Sequence, residues 1–132
     1  SERNVVVRNP WRAMRAFMMG REALSVARLR FSRDGGLTDG PGDAYRHFYW
    51  SFSLTISFGE RYASLIGNAH ELTNRSSDYG YGSDGGPATS MDLHNNAVGR
   101  AFAMDPRYRE LSAAAAAEIA LAEGCLQTGL SG

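Results

Sequence analysis

The stretch "DAYRHFYWSFSLTISF", residues 43–58, decides the fold. Its aromatic and β-branched residues would suit a strand, and a strand here would make the protein a mixed or all-β one. The spacing reads otherwise. Ala44, His47, Phe48, Ser51, Phe52 and Thr55 fall on neighbouring positions of a 3.6-residue period, so the segment is predicted to be a helix with one continuous inward face.

Four more segments carry helical signals. Residues 9–31 offer Asn9 as N-cap and Pro10 in the first turn. Trp11, Met14, Phe17, Met18, Leu24, Ala27 and Phe31 recur there at roughly helical spacing, and Trp11, Phe17 and the methionines beside arginines could also meet lipid or a partner groove. Residues 60–74 follow Gly59, and 89–104 begin at Thr89 or Ser90 as N-cap. A final Ala-rich helix is expected from Asp105 as N-cap with Pro106 at N1. Between them lie two glycine-rich stretches, 32–42 and 75–88, that read as long loops. The expectation is one all-α domain of four to five helices spanning 1–132.

The 14 Arg balance the 14 acids, and there is no Lys. The balance is uneven: residues 1–33 hold eight Arg against Glu2 and Glu22. A basic first segment pairs with an acidic body or meets an anionic surface. The single Cys125 excludes an internal disulfide and a multi-cysteine zinc site. No apolar run approaches a membrane span, and no signal peptide is visible.

Three polar clusters do not suit a plain core. Asp43 and His47 are four residues apart and share a face, so the acid can orient the imidazole for general acid–base work. Arg46 lies beside them, and Trp50 can wall the same face. His70 and Glu71 form a second pair, which is not the HExxH zinc signature because position 74 is Asn. In the third cluster Asp92, Asn96 and Arg100 form an i, i+4, i+8 stripe with Asn95 adjacent. His94 and Val98 are expected to turn toward Met91, Ala101 and Phe102 on the core side of that helix. Together the clusters predict a convergent site: His47 as general base or acid, with Asp43, Glu71 and His70 around it. Asp92, Asn95 and Asn96 would offer oxygens to calcium or magnesium, and Arg46, Arg100, Trp50 and Tyr79 would contact substrate. The loop at 75–88 is expected to border this site as a lid.

The ordered motifs D-A-Y-R-H-x-Y-W (43–50), A-H-E (69–71) and M-D-L-H-N-N-x-V-G-R (91–100) resemble a group of helical domains at the C-terminal ends of bacterial secreted polymorphic toxins. The resemblance covers about residues 40–103. It implies an all-α toxin or effector domain, delivered to a target cell and acting at its periplasm or envelope, with an immunity protein as partner. A weaker likeness is to the phospholipase A2 type of site, where a glycine-rich loop precedes a histidine-bearing helix. His47 is followed by Phe48 rather than Asp, which departs from that pattern. The resulting expectation is a hydrolase for a phosphate- or ester-containing envelope substrate. The alternatives are a non-catalytic lipid- or protein-binding module using the basic first helix and, third, a nucleic-acid-degrading toxin.

Overall fold

The computed structural model describes residues 9–31, 39–79 and 86–130; the side chains of 70–79 and 86–88 lie outside the described part. Among the described residues there are five α-helices and no strand: α1 (Pro10–Phe31), α2 (Pro41–Phe58), α3 (Glu60–Tyr79), α4 (Gly86–Met104) and α5 (Ala113–Ala122). The all-α expectation holds. None of these helices is long and apolar enough to cross a membrane.

The segment 43–58 is helical and forms the axis of the fold, since α2 packs against each of the other four helices. Its two apolar flanks make two cores. Tyr45, Phe48 and Phe52 meet Phe31, Met91, Phe102 and the alanines of α5. Leu54 meets Ala16, Ala63 and Ile66. Between these flanks runs a third stripe, His47, Ser51 and Thr55, all buried and all polar. It faces α4, which Gly99 allows to come close. A Cβ there would stand 2.6 Å from the Phe48 carbonyl oxygen. Gly59 ends α2 with a φ of 91°, a conformation that favours glycine, and its N–H returns to Thr55 O.

Several local expectations change. Asn9 caps α1 by accepting from the Arg12 N–H at 3.2 Å, but Trp11, Met14, Phe17 and Met18 are exposed. The buried face of α1 is Ala16, Ala23, Ala27 and Phe31, because small residues let α1 lie close to α2. Helix α2 opens at Gly40–Pro41, two residues before Asp43. Helix α3 runs on to Tyr79 and α4 begins at Gly86, so 75–79 and 86–88 are helix rather than loop, and Thr89 is buried inside α4 rather than capping it. Residues 80–85, the heart of the expected lid, lie outside the described residues. Asp105 caps a turn and holds Arg107, while Ser112 caps α5 by accepting from the Ala115 N–H at 3.1 Å.

Candidate functional site

The polar stripes of α2 and α4 meet around one imidazole. His47 is buried, and Asn96 fixes its Nδ1 at 3.2 Å from the amide Oδ1. With Nδ1–H donating to that oxygen, Nε2 is the ring nitrogen left to face the carboxylates. There, Asp43 Oδ1 stands at 3.3 Å and Asp92 Oδ1 at 3.4 Å from Nε2. Asp43 lies one turn before His47 on α2, and Asp92 one turn before Asn96 on α4. Two i, i+4 pairs on facing helices therefore build the cluster.

Arg46 closes it from the solvent side. Its Nη2 donates to Asp43 Oδ1 at 2.8 Å and lies 3.2 Å from His47 Nε2. About a third of its side chain is exposed, whereas both carboxylates are buried. The other oxygen of Asp43 accepts from the Asp39 N–H at 3.0 Å, which ties the preceding turn, with Asp39 at a φ of 57°, to the site. Burial by itself would raise the Asp43 pKa. The hydrogen bond and charge of His47, with those of Arg46, outweigh it and hold the carboxyl well below the ordinary carboxylate range.

One ligand atom from each of Asp43, His47 and Asp92 lies within 4.8 Å of the others. Two carboxylates and an imidazole form a mixed oxygen and nitrogen donor set, suited to manganese or zinc as well as to the hard cations. Asn96 on Nδ1 supplies the outer contact that fixes the ring of a metal-ligating histidine.

A cavity of about 220 Å³ adjoins the cluster between α1, α2 and α3. Its walls are mainly apolar, with Ala13, Leu24, Trp50 and Ile66 among them, and it reaches His47 and Arg46. Trp50 is fixed there by donating Nε1–H to the Ala16 carbonyl at 2.8 Å, across to α1.

The family model described as Domain of unknown function (DUF6973) matches residues 3–123. The chain belongs to that family. No curated protein matches it, and no solved structure does. In this DUF6973 member the structure thus brings together Asp43, Arg46, His47, Asp92 and Asn96, with Trp50 one turn along in the cavity wall.

Two expected site residues lie elsewhere. Both halves of the Asn95 amide are taken up by Gln127: Oδ1 accepts from its N–H at 2.8 Å and Nδ2 donates to its carbonyl at 2.9 Å. Asn95 straps the C-terminal segment to α4 instead of joining Asp92. Arg100 is two turns beyond Asp92, about 12 Å along the helix. Burial lowers its pKa from the ordinary value, opposed by the charge of Glu60 at the start of α3. The side chains of His70, Glu71 and Tyr79 lie outside the described residues. On α4 Met91 and Phe102 are in the core as expected, but the polar stripe is buried too, while His94 and Ala101 are exposed.

Sequence reasoning missed Gly99. Its signal was a glycine seven residues after Asp92, on the same face as that buried acid.

Proposed function

We propose that this chain is the hydrolytic domain of an antibacterial effector, acting on a phosphate- or ester-containing envelope substrate. The observation that carries the hydrolase reading is the His47 ring: Nδ1 held by Asn96, Nε2 facing two buried carboxylates, and the residue lining a cavity. A base of this kind removes a proton from water as the oxygen attacks the ester carbon or phosphorus. Asp43 and Asp92 stabilise the resulting imidazolium, which then returns the proton to the departing oxygen. Arg46, at the edge of the cluster, stabilises the negative charge that develops on the reacting group. The effector role, with delivery to the envelope and an immunity partner, rests on the motif resemblance.

A divalent cation is the alternative version of this hydrolase: Asp43, His47 and Asp92 would hold it, and it would activate the water in place of His47. Imidazole in the donor set widens the choice of ion beyond calcium and magnesium to manganese and zinc.

The test is expression of the domain in the cytoplasm and, separately, the periplasm of a bacterium, beside His47→Ala. The purified proteins are assayed with soluble 4-nitrophenyl ester and phosphodiester substrates. Toxicity confined to the periplasm, and a loss of about 10²–10⁴-fold in turnover for the folded variant, are expected. A folded His47→Ala protein that keeps full activity overturns the assignment.

A further inference from the structure

Helix α1 turns its large apolar residues outward. Trp11, Met14, Met18 and Leu29 are 57–84% exposed. At 100° per residue they fall within about 60° of one another, opposite the buried Ala16, Ala23 and Ala27. A ridge of this size on the solvent side of a helix calls for a partner. The charge beside it points to the kind of partner. Helix α1 carries five Arg and one acid, and that acid, Glu22, stands beside Tyr49. Arg15 flanks the ridge on one side and Arg21 and Arg28 on the other. Arg12 and Arg15 lie over the Phe58 and Tyr62 rings, which holds their charge at one end of the helix. An apolar ridge between arginines is the pattern of a helix lying in the plane of an anionic lipid surface.

The cavity joins this face to the catalytic cluster. Phe17 and Arg21 line it and are themselves exposed, so they form its rim beside the ridge. Its apolar walls run inward from that rim to His47 and Arg46.

We propose that the outer face of α1 seats on an anionic bilayer, and that the cavity takes an acyl chain of an anionic phospholipid drawn from it. The lipid's ester or phosphoester group then lies at His47, with Arg21 and Arg46 meeting its phosphate. The bond broken is the C–O or P–O bond of that group; water supplies OH to the acyl or phosphoryl fragment and H to the leaving oxygen. This names the substrate class of the hydrolase proposed above and rests on that reading.

The experiment uses the whole chain and two vesicle types, phosphatidylglycerol and phosphatidylcholine, at 0.1 M salt. Co-sedimentation reads binding, and release of fatty acid or headgroup reads turnover. A soluble short-chain 4-nitrophenyl ester and a soluble phosphodiester are run in parallel. The wild type is expected to partition at least tenfold more strongly to phosphatidylglycerol. The double variant Trp11→Ala, Met18→Ala, neither residue lining the cavity, should lose tenfold or more of that binding and of vesicle turnover. Its rate on the soluble substrate should stay within twofold, and circular dichroism should report an unchanged fold. Ala13→Leu, which narrows the cavity, should shift turnover toward shorter acyl chains. A wild type that cleaves a soluble substrate yet ignores anionic vesicles overturns the lipid proposal and leaves the hydrolase standing. Vesicle binding without turnover of any substrate sinks the hydrolase and the acyl-chain assignment with it. Equal binding to both vesicle types, or a dimer in sedimentation velocity that the double variant abolishes, also overturns the proposal, the latter by giving the ridge to a second copy.

Discussion

Gly99→Ala is the sharpest test of how the site is assembled. The added Cβ would stand 2.6 Å from Phe48 O, 3.0 Å from Ser51 Cβ and 3.1 Å from Phe52 N. Two of these neighbours are backbone, so no rotamer change relieves them. Ordinary contact begins near 3.4 Å, so α4 must retreat from α2 by roughly 0.8 Å at this point. Overpacking of this kind costs about 1–3 kcal/mol, while Ala in place of Gly in a helix returns about 1 kcal/mol. The net expectation is a loss of about 0–2 kcal/mol, or a melting temperature lower by up to roughly 7 °C for a chain of this size. The same retreat, transmitted two turns back along α4, lengthens the 3.4 Å approach of Asp92 to His47 toward 4 Å. Turnover should therefore fall further than the fraction unfolded at the assay temperature accounts for. Thermal denaturation followed by circular dichroism, beside the turnover assay, measures both. A variant that melts above the wild-type temperature would refute the close α2–α4 contact.

Other residues make separate predictions. Asn95→Ala removes both hydrogen bonds to the Gln127 backbone, so it should cost about 1–3 kcal/mol in urea unfolding and speed amide exchange at Gln127, with little effect on the His47 chemistry. Unchanged exchange there would show that the strap is not formed in solution. The Asp43 pKa is lower folded than unfolded, so its stabilisation is full above the unfolded value near 4 and is lost as pH falls toward the depressed folded value. The difference in unfolding free energy between wild type and Asp43→Asn should thus be full at pH 6 and smaller at pH 3; a difference that grows on acidification contradicts the assignment. For the cation, excess manganese, zinc, calcium or magnesium should raise the wild-type melting temperature by several degrees and a chelator should reverse it, with Asp92→Asn unresponsive. No response to any of the four removes the metal and leaves the acid–base version of the site.

The sequence reveals the inner face of α2 because its apolar and polar inward residues keep one period, so His47, Ser51 and Thr55 are placed correctly although none is apolar. The same rule misleads on α1. There the largest residues are periodic, but so are Ala16, Ala23 and Ala27, and only tertiary packing decides which face turns in. The alanines win because they let α1 approach α2 and place the Trp50 indole against the Ala16 carbonyl. On α4 Met91 and Phe102 turn inward as expected, but so do Asp92, Asn95, Asn96 and Gly99, because the polar groups find their partners across helices. The i, i+4 pairs Asp43–His47 and Asp92–Asn96 are legible, and so is the expectation that they converge. The contact that lets them meet is not, because it depends on a glycine that admits the α2 backbone. Asn95 and Asn96 are indistinguishable as neighbours in sequence. They part because a 100° step along the helix aims one at Gln127, 32 residues away, and the other at His47.

A buried polar network can serve the fold alone, and the two possibilities differ in what they demand of hydrogen bonding. A network kept for structure should be sealed and fully paired, because each unmet buried donor costs about 1–3 kcal/mol. Asn95 meets that description: both halves of its amide are matched by one backbone residue. The His47 cluster does not. Among the described residues, Asn96 Nδ2 and Arg46 Nε are buried without a hydrogen-bond partner, while the rest of each group is engaged around the imidazole. Both are donors, and Asn96 Nδ2 stands beside Gly67 of α3, where a Cβ would lie 3.7 Å from it. His47 and Arg46 also reach the wall of a cavity, which a purely structural pair has no reason to do. The cluster is therefore incomplete as a structural device and suited to a bound oxygen. That asymmetry between Asn95 and Asn96 favours placing the chemistry at His47, and it makes Asn96→Asp the variant to watch. It keeps an oxygen for the His47 Nδ1–H and adds a third negative charge beside the imidazole, while removing the unpartnered Nδ2 donor. Binding of an anionic substrate should weaken, read as a raised KM, while the fold is retained. An unchanged KM would mean that Nδ2 meets no substrate oxygen.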